Sequence, residues 1–379
     1  MIKRFYDNLG DYLVKAPVVV VIYGARQVGK TTLVKSFLEK TALKWKYLAG
    51  EDIRVQETLS SKDLKKLKEM VEGYDLLAVD EAQYIHDIGL SAKMIVDYIP
   101  KVKLILTGSS SFELCGQVGE PLTGRKFTIE LFPISLLELR SIYNPYEIKE
   151  KLNEFLIYGM YPKVLDLPKD EKIYYLNEIV GSYLLKDILA FEKIKNSTTL
   201  LNLLKLLAYQ LGKEVSLSEL AQKLHINVKT VARYLDLLEK SYIIFQLKPF
   251  KGNLRKAISE KSKYYFYDVG IRNAIIEDFR EIEKRDPKEV GDLFENFFIS
   301  EYLKKCKYTK PIASLYFYRD YEQKEVDLIE RDSEGNLRGF EIKLKAKEKG
   351  KPPKELLEAY PELHLEVVDI NNFIELVAA

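Results

Sequence analysis

The chain has 379 residues, too many for one small core, and its 47% apolar content is enough to fill several. A net charge of +2 excludes a chain that is basic or acidic throughout, so any attraction for nucleic acid must be local. The two cysteines, Cys115 and Cys306, stand far apart and outside any Cys/His ligand spacing, which argues against a zinc module or a disulfide framework.

The start, Met1-Ile2-Lys3-Arg4, is charged and unlike a signal peptide, and the apolar run from Pro17 to Tyr23 is too short to cross a bilayer. A cytoplasmic protein with no membrane partner is expected. Up to about Pro133, strand-like runs at Val18–Tyr23, Trp45–Ala49, Leu76–Val79, Lys103–Leu106 and Lys126–Leu131 alternate with helical spacing, as at Lys30–Lys40 and Lys62–Glu72. That alternation predicts a parallel sheet covered by helices. Residues 134–195 turn helical, broken at Tyr158-Gly159-Met160-Tyr161-Pro162. Beyond them lie a compact helical unit ending in a strand pair and, past Arg285-Asp286-Pro287, a helix followed by strand-like runs and a final helix–strand–helix.

Chemistry enters first at Gly24-Ala25-Arg26-Gln27-Val28-Gly29-Lys30-Thr31, which fits G-x-x-x-x-G-K-[ST] between a β-branched strand and an amphipathic helix. The glycines let main-chain N–H groups converge on phosphates, Lys30 supplies a cation to the β- and γ-phosphates, and Thr31 offers a hydroxyl to Mg²⁺. Downstream, the apolar strand Leu76–Val79 runs into Asp80 and Glu81. Asp80 is expected to hold Mg²⁺ through water and Glu81 to polarise the attacking water, so the pair predicts ATP hydrolysis. After the strand ending at Leu106, Thr107 is the first choice for a γ-phosphate sensor and Ser109 the second, with Ser110 and Ser111 following. Arg125 stands just before the next strand; it can act as an arginine finger on a neighbouring copy, which implies a homo-oligomer, or form a surface ion pair.

These residues resemble AAA+ ATPases. More narrowly, the loop through Thr32, with Asp80-Glu81-Ala82-Gln83 and Leu106-Thr107-Gly108-Ser109-Ser110, is similar to one prokaryotic, archaea-rich ATPase family. The resemblance implies ATP contacts along residues 24–32 and an α/β fold: an AAA+ P-loop parallel sheet in the order 5-1-4-3-2 (residues 1–133) and a helical lid (134–195). It also implies a winged helix (196–268) and an α/β restriction-endonuclease-like C-terminal domain (286–379). At the lid, Gly159-Met160-Tyr161-Pro162-Lys163 departs from the usual sensor arginine, with Lys163 as its substitute.

Residues 215–240 read as helix-turn-helix: a helix capped by Ser218, a turn at His225-Ile226-Asn227, and a second helix from Val228 to Lys240, with Ile243–Leu247 and Tyr264–Tyr267 as wing strands. Residues 213–263 hold eleven Lys/Arg against five acids, a local excess suited to phosphate. Lys229, Thr230 and Arg233 are expected on the exposed face of the second helix, and Lys251, Arg255 and Lys256 in the wing, all against DNA.

In the C-terminal part, Glu325-Val326-Asp327-Leu328-Ile329 and Gly339-Phe340-Glu341-Ile342-Lys343 alternate with period 2 around a turn containing Gly335. An odd-length hairpin loop would put Asp327 on the face of Glu341 and Lys343. Two carboxylates and a lysine there can hold Mg²⁺ and activate water against a phosphodiester. With Glu295 on the preceding helix, this order resembles the PD-(D/E)xK nucleases. The resemblance implies Glu295, Asp327 and Glu341 as ligands of Mg²⁺ or Mn²⁺ and Lys343 as the group that positions or deprotonates water. The leading expectation is an ATP-driven DNA-processing protein with a nuclease; its rival is a nucleotide-dependent switch or DNA-binding regulator whose last domain binds nucleic acid or protein without cutting.

Overall fold

The computed structural model describes residues 2–14, 18–109, 119, 121–184, 197–250, 261–310, 312–320, 324–345 and 353–378. The chain divides into two compact units, Lys3–Phe132 with Lys240–Tyr242, and Pro133–Glu239 with Ile243–Ala379. Among the described residues, no helix is long and apolar enough to cross a membrane.

The first unit runs β1 (Val19–Tyr23), α1 (Lys30–Lys40), β2 (Trp45–Ala49), α2 (Ile53–Ser60), α3 (Leu64–Val71), β3 (Leu76–Asp80), α4 (Ile88–Tyr98), β4 (Lys103–Thr107) and β5 (Lys126–Glu130). All five strands are parallel, in the order β2-β3-β4-β1-β5, which is the expected order read from the other edge. Strand β1 lies between β4 and β5, and Val19 to Ile22 are fully buried, which is why it reads as an unbroken β-branched run. Asp52 and Asp63 cap α2 and α3 through their side chains.

Register decides where the chemistry gathers. Ile22 lies beside Thr107, Tyr23 beside Glu130, and Ala49 beside Asp80. The loop after β1, the acids ending β3 and the hydroxyl ending β4 therefore share one edge of the sheet, at the carboxyl ends of its strands.

The second unit opens with short helices, among them α5 (Leu152–Tyr158) and α6 (Lys169–Glu178). It continues with α7 (Ser197–Ala208), β6 (Glu214–Val215), α8 (Leu217–Leu224), α9 (Val228–Lys240), β7 (Ile244–Pro249), β8 (Ser262–Phe266) and α10 (Val269–Ile275). Last come α11 (Pro287–Thr309), β9 (Ser314–Arg319), β10 (Glu325–Arg331), β11 (Leu337–Ile342), α12 (Lys354–Ala359), β12 (His364–Val368) and α13 (Phe373–Ala378).

Helix α8 starts earlier than expected. Its cap is Ser216, whose extended backbone and hydroxyl, accepting from the Glu219 N–H at 3.4 Å, leave Ser218 inside the first turn. The expected strand pair forms as β7 and β8, antiparallel with Ile244 opposite Phe266. A further pairing has no sequence signal: the other edge of β7 joins β9 in parallel, Lys248 beside Tyr316 and Pro249 beside Phe317. One seven-stranded sheet, β12-β11-β10-β9-β7-β8-β6, thus runs across the interval drawn between residues 268 and 286. Asp286 caps α11 and Pro287 opens it; the helix is buried along much of its length, with Tyr302 tilted over Phe340 at 4.8 Å between ring centroids.

At the segment expected to serve as a lid sensor, the Met160 N–H donates to buried Asp268 at 2.7 Å, and Lys163 lies over the Tyr175 ring at 5.0 Å.

Candidate functional site

The loop between β1 and α1 is held from two sides. A Cβ at Gly24 would stand 2.1 Å from the Leu131 carbonyl, so only glycine lets the loop pass the end of β5. Arg4, itself buried, donates to the Val28 carbonyl at 2.8 Å and to the Phe132 carbonyl at 2.6 Å, tying the loop to the strand beyond. Lys30, the first residue of α1, is buried, and its ammonium donates to the Gly24 and Ala25 carbonyls, each at 2.9 Å.

Asp80 is the hub of the edge. Its Oδ2 accepts the Thr31 hydroxyl at 2.7 Å and the Tyr47 hydroxyl at 2.6 Å, and its Oδ1 accepts the Thr107 hydroxyl. The Thr107 oxygen in turn accepts the Glu81 N–H at 3.1 Å, so one threonine touches both adjacent acids. Glu81 sits in the left-handed region at φ 50°, and its Oε2 accepts the side-chain amide of Gln83 at 2.5 Å. Burial, with Asp80 alongside, lifts Tyr47 well above the usual tyrosine range, so it remains a proton donor at neutral pH. Ser109 is buried, whereas Ser110 and Ser111 lie outside the described residues.

This donor set fits a magnesium-bound triphosphate. Thr31 gives its proton to Asp80, which leaves its oxygen lone pairs for a hard cation, and Asp80 still has acceptor capacity for the waters around that cation. Lys30 can exchange two carbonyls for phosphate oxygens at the same loop.

Residues 16–140 match the family model described as an AAA domain. They form an AAA-type P-loop ATPase domain. Two other models, each described as a domain of unknown function, match residues 149–283 and 290–372. An uncharacterized protein of Mycobacterium tuberculosis is 29% identical over 331 residues, covering 87% of this chain and 70% of its own length. An uncharacterized protein of Methanocaldococcus jannaschii is 26% identical over 365 residues, covering 86% and 79%. Among solved structures, a Walker-type ATPase of Pyrococcus abyssi aligns with 71% of this chain and 94% of its own at a TM-score of 0.49 and 14% identity.

Within the AAA domain, Arg125 lies at the edge opposite the loop. Its carbonyl accepts the Val19 N–H at 2.7 Å, at the start of β1. The five residues of β1, at about 3.3 Å each, place it roughly 16 Å from the loop that follows Tyr23. Its Nε pairs with Asp97 at 2.7 Å. It therefore cannot serve the loop of its own AAA domain, and the surface ion pair is the contact it makes.

The C-terminal residues meet a different outcome. Strands β10 and β11 pair antiparallel, Leu328 opposite Phe340, which makes Asp327 and Glu341 the next pair outward. Asp327 accepts the Ile342 N–H at 2.7 Å, Glu341 is paired with Lys343 at 2.8 Å, and Glu295 accepts the Tyr265 hydroxyl at 2.6 Å. Lys263, 1% exposed, pairs with Glu325 and stands 3.6 Å from Glu295. Burial and the Glu295 charge push Asp327 up to about 7, against the pull of Lys263 and the Ile342 N–H.

The three-carboxylate shell expected of Glu295, Asp327 and Glu341 is not assembled. Among the described residues, no group of three His, Cys, Asp or Glu side chains is placed to hold a metal ion. The buried Lys263 ammonium contacts Glu325 and stands 3.6 Å from Glu295, so a divalent cation entering here would meet a fixed positive charge, and these residues do not fit one.

On α9, Lys229 and Arg233 are exposed one turn apart, with Thr230 half-buried beside them. Lys251, Arg255 and Lys256 lie outside the described residues. One of the eleven basic residues, Lys263, is removed from the DNA-facing tally by its burial, and Lys223 is paired with Glu219 at 2.7 Å.

Sequence reasoning missed Tyr47, Arg4 and Lys263. Tyr47 reaches Asp80 only because β2 and β3 align in register, Ala49 beside Asp80. Gln83 belongs to the Asp80-Glu81-Ala82-Gln83 run but receives a role only through its bond to Glu81.

Proposed function

We propose that this chain is a magnesium-dependent ATPase that acts on DNA, with a C-terminal nuclease-like domain that binds without metal-dependent cleavage. The observation that carries the ATPase reading is the continuous bonding from Thr31 through Asp80 and Thr107 to the Glu81 main chain. Bound Mg²⁺ would be held by Thr31 and, through water, Asp80, and would neutralise charge on the β- and γ-phosphates. Glu81 orients and polarises the water, Thr107 holds the two acids in fixed relation, and Lys30 stabilises negative charge as the γ-phosphate departs. The products are ADP and phosphate.

The DNA reading rests on the order α7-β6-α8-α9-β7-β8, with β8 central between β6 and β7, which has the pattern of a winged helix. Lys229 and Arg233 are both exposed, which is what contact with phosphates would require. Replacing both with alanine is expected to weaken duplex binding regardless of sequence and to reduce the slope of log affinity against log salt by about 2. Anisotropy titrations across 50 to 200 mM salt measure it, and an unchanged slope assigns these residues to another surface.

The non-cutting reading is favoured by the Lys263 contacts among Glu295 and Glu325. Incubation with branched, single-stranded and duplex DNA in Mg²⁺ or Mn²⁺ is expected to leave every substrate intact. Cleavage by wild type that disappears in Asp327→Ala restores the nuclease. The ATPase reading is tested by phosphate release with and without each DNA, and no turnover under any condition sinks it.

A finger acting between copies requires Arg125 to give up Asp97. If it does, Arg125→Ala loses at least a hundredfold in kcat while its ATP Kd stays within twofold; the known range for such arginines is about 10³ to 10⁵. A kcat within twofold of wild type leaves the ion pair as its whole role.

A further inference from the structure

We propose that Lys263 is a built-in counter-ion standing among Glu295, Glu325 and Asp327, so that the wild-type chain takes no divalent cation there and loss of the ammonium lets the acids draw together around one. The proposal deepens the non-cutting reading above and rests on it.

The cluster is drawn from separate elements that the seven-stranded sheet brings together. Helix α11 contributes Glu295, β10 contributes Glu325 and Asp327, and β8 contributes Lys263 and Tyr265. The Lys263 ammonium contacts Glu325, lies 3.6 Å from Glu295, and has the Phe317 ring 5.3 Å away. The space around it is closed. Gly212, at φ 67°, comes so near that a Cβ there would meet Glu295 Oε1 at 2.9 Å. Tyr265 donates to that same oxygen at 2.6 Å. On the other side Arg319 Nε lies 3.9 Å from Glu325 while its Nη1 reaches Glu214 at 3.4 Å.

A hard divalent ion needs about six oxygen ligands around one point. Here the point is contested by an ammonium with almost no exposure, and like charges a few ångströms apart in a shielded interior repel strongly. The ammonium is stable where it is. Glu325 touches it and Glu295 lies 3.6 Å away, so its charge is matched where it stands. Without Lys263, Glu295, Glu325 and Asp327 would keep Arg319, 3.9 Å from Glu325, but lose the buried ammonium, and carboxylates short of counter-charge draw in an oxygen-seeking ion.

The test uses Mn²⁺ as the probe on the nucleotide-free full chain, with bound ion counted by electron paramagnetic resonance. Wild type, Asp327→Asn and Glu295→Gln are expected to bind the same number of Mn²⁺ ions. Lys263→Ala is expected to bind one more, at least tenfold tighter than any binding at the cluster in wild type, and to lose it again in Lys263→Ala/Asp327→Asn. Its melting temperature should rise with Mn²⁺ where that of the double variant does not. Lys263→Met, which fills the same volume, replaces Lys263→Ala if the smaller residue does not fold.

A wild-type chain that loses one Mn²⁺ on Asp327→Asn overturns the proposal, and so does a folded Lys263 variant that gains none. The first comparison needs no Lys263 variant, so misfolding cannot shelter the idea. DNA in the same tubes separates the two readings. Asp327-dependent cleavage overturns the non-cutting reading itself, whereas Mn²⁺ at the cluster without cleavage overturns only the role of Lys263.

Discussion

Lys30→Ala should reduce ATP affinity by about a thousandfold, below detection in an ordinary titration. The ammonium is buried at the head of α1 and bonds to the first two carbonyls of the loop, so it is positioned before nucleotide arrives. One charge pair at about 4 Å in a partly shielded site is worth about 4 kcal/mol, and the triphosphate places several negative oxygens within that range. The fold should survive, because the loop is also held by Arg4 at Val28 and by the close pass of Gly24 under Leu131. Fluorescent-nucleotide titration beside a thermal melt checks both halves. A Kd within threefold of wild type would remove Lys30 from the phosphate site.

Glu81→Gln should behave in the opposite way. Binding is kept and turnover falls by about 10² to 10⁴, the usual contribution of a positioned base. The amide has the shape of the carboxylate and can still accept from Gln83, while the Thr107 contact is to the main chain and does not depend on the side chain at all. What is lost is the negative charge that polarises water. Single-turnover phosphate release with a parallel ATP titration separates the two quantities. Turnover equal to wild type would mean that another group activates the water.

What was legible in the sequence is what is contiguous in it. Residues 24–31 form a loop whose chemistry depends on neighbours along the chain, and Asp80 with Glu81 ends a strand that is fully apolar up to that point. The alternation of runs gave the parallel sheet, whereas the strand order came from the resemblance to AAA+ ATPases. Thr107 was legible because a strand end in this sheet must reach the same edge as the loop.

The illegible parts depend on partners distant in sequence. Tyr47 becomes a ligand of Asp80 through pairing between strands, and nothing about Trp45-Lys46-Tyr47 distinguishes it from an ordinary strand. Lys263 looked like one more positive charge near a helix expected to meet DNA. Only the sheet that links β8 through β7 to β9 and β10 turns it inward, against Glu325. The periodicity of β10 and β11 reports which face a carboxylate is on and not what lies against that face, and among the described residues no group of three ligands is placed to hold a metal ion.

The parallel pairing of β7 with β9 has a consequence for anyone dissecting the chain. A truncation anywhere from 268 to 286 would strip a partner from each fragment, baring main-chain donors and acceptors at Lys248, Pro249 and Phe250 on one and at Tyr316 and Phe317 on the other. The ring of Phe250, which rests against Tyr316 and Tyr360, would be uncovered as well. Such raw edges invite self-association, so residues 197–268 and 286–379 should be cloned, swapped and purified as a single cassette.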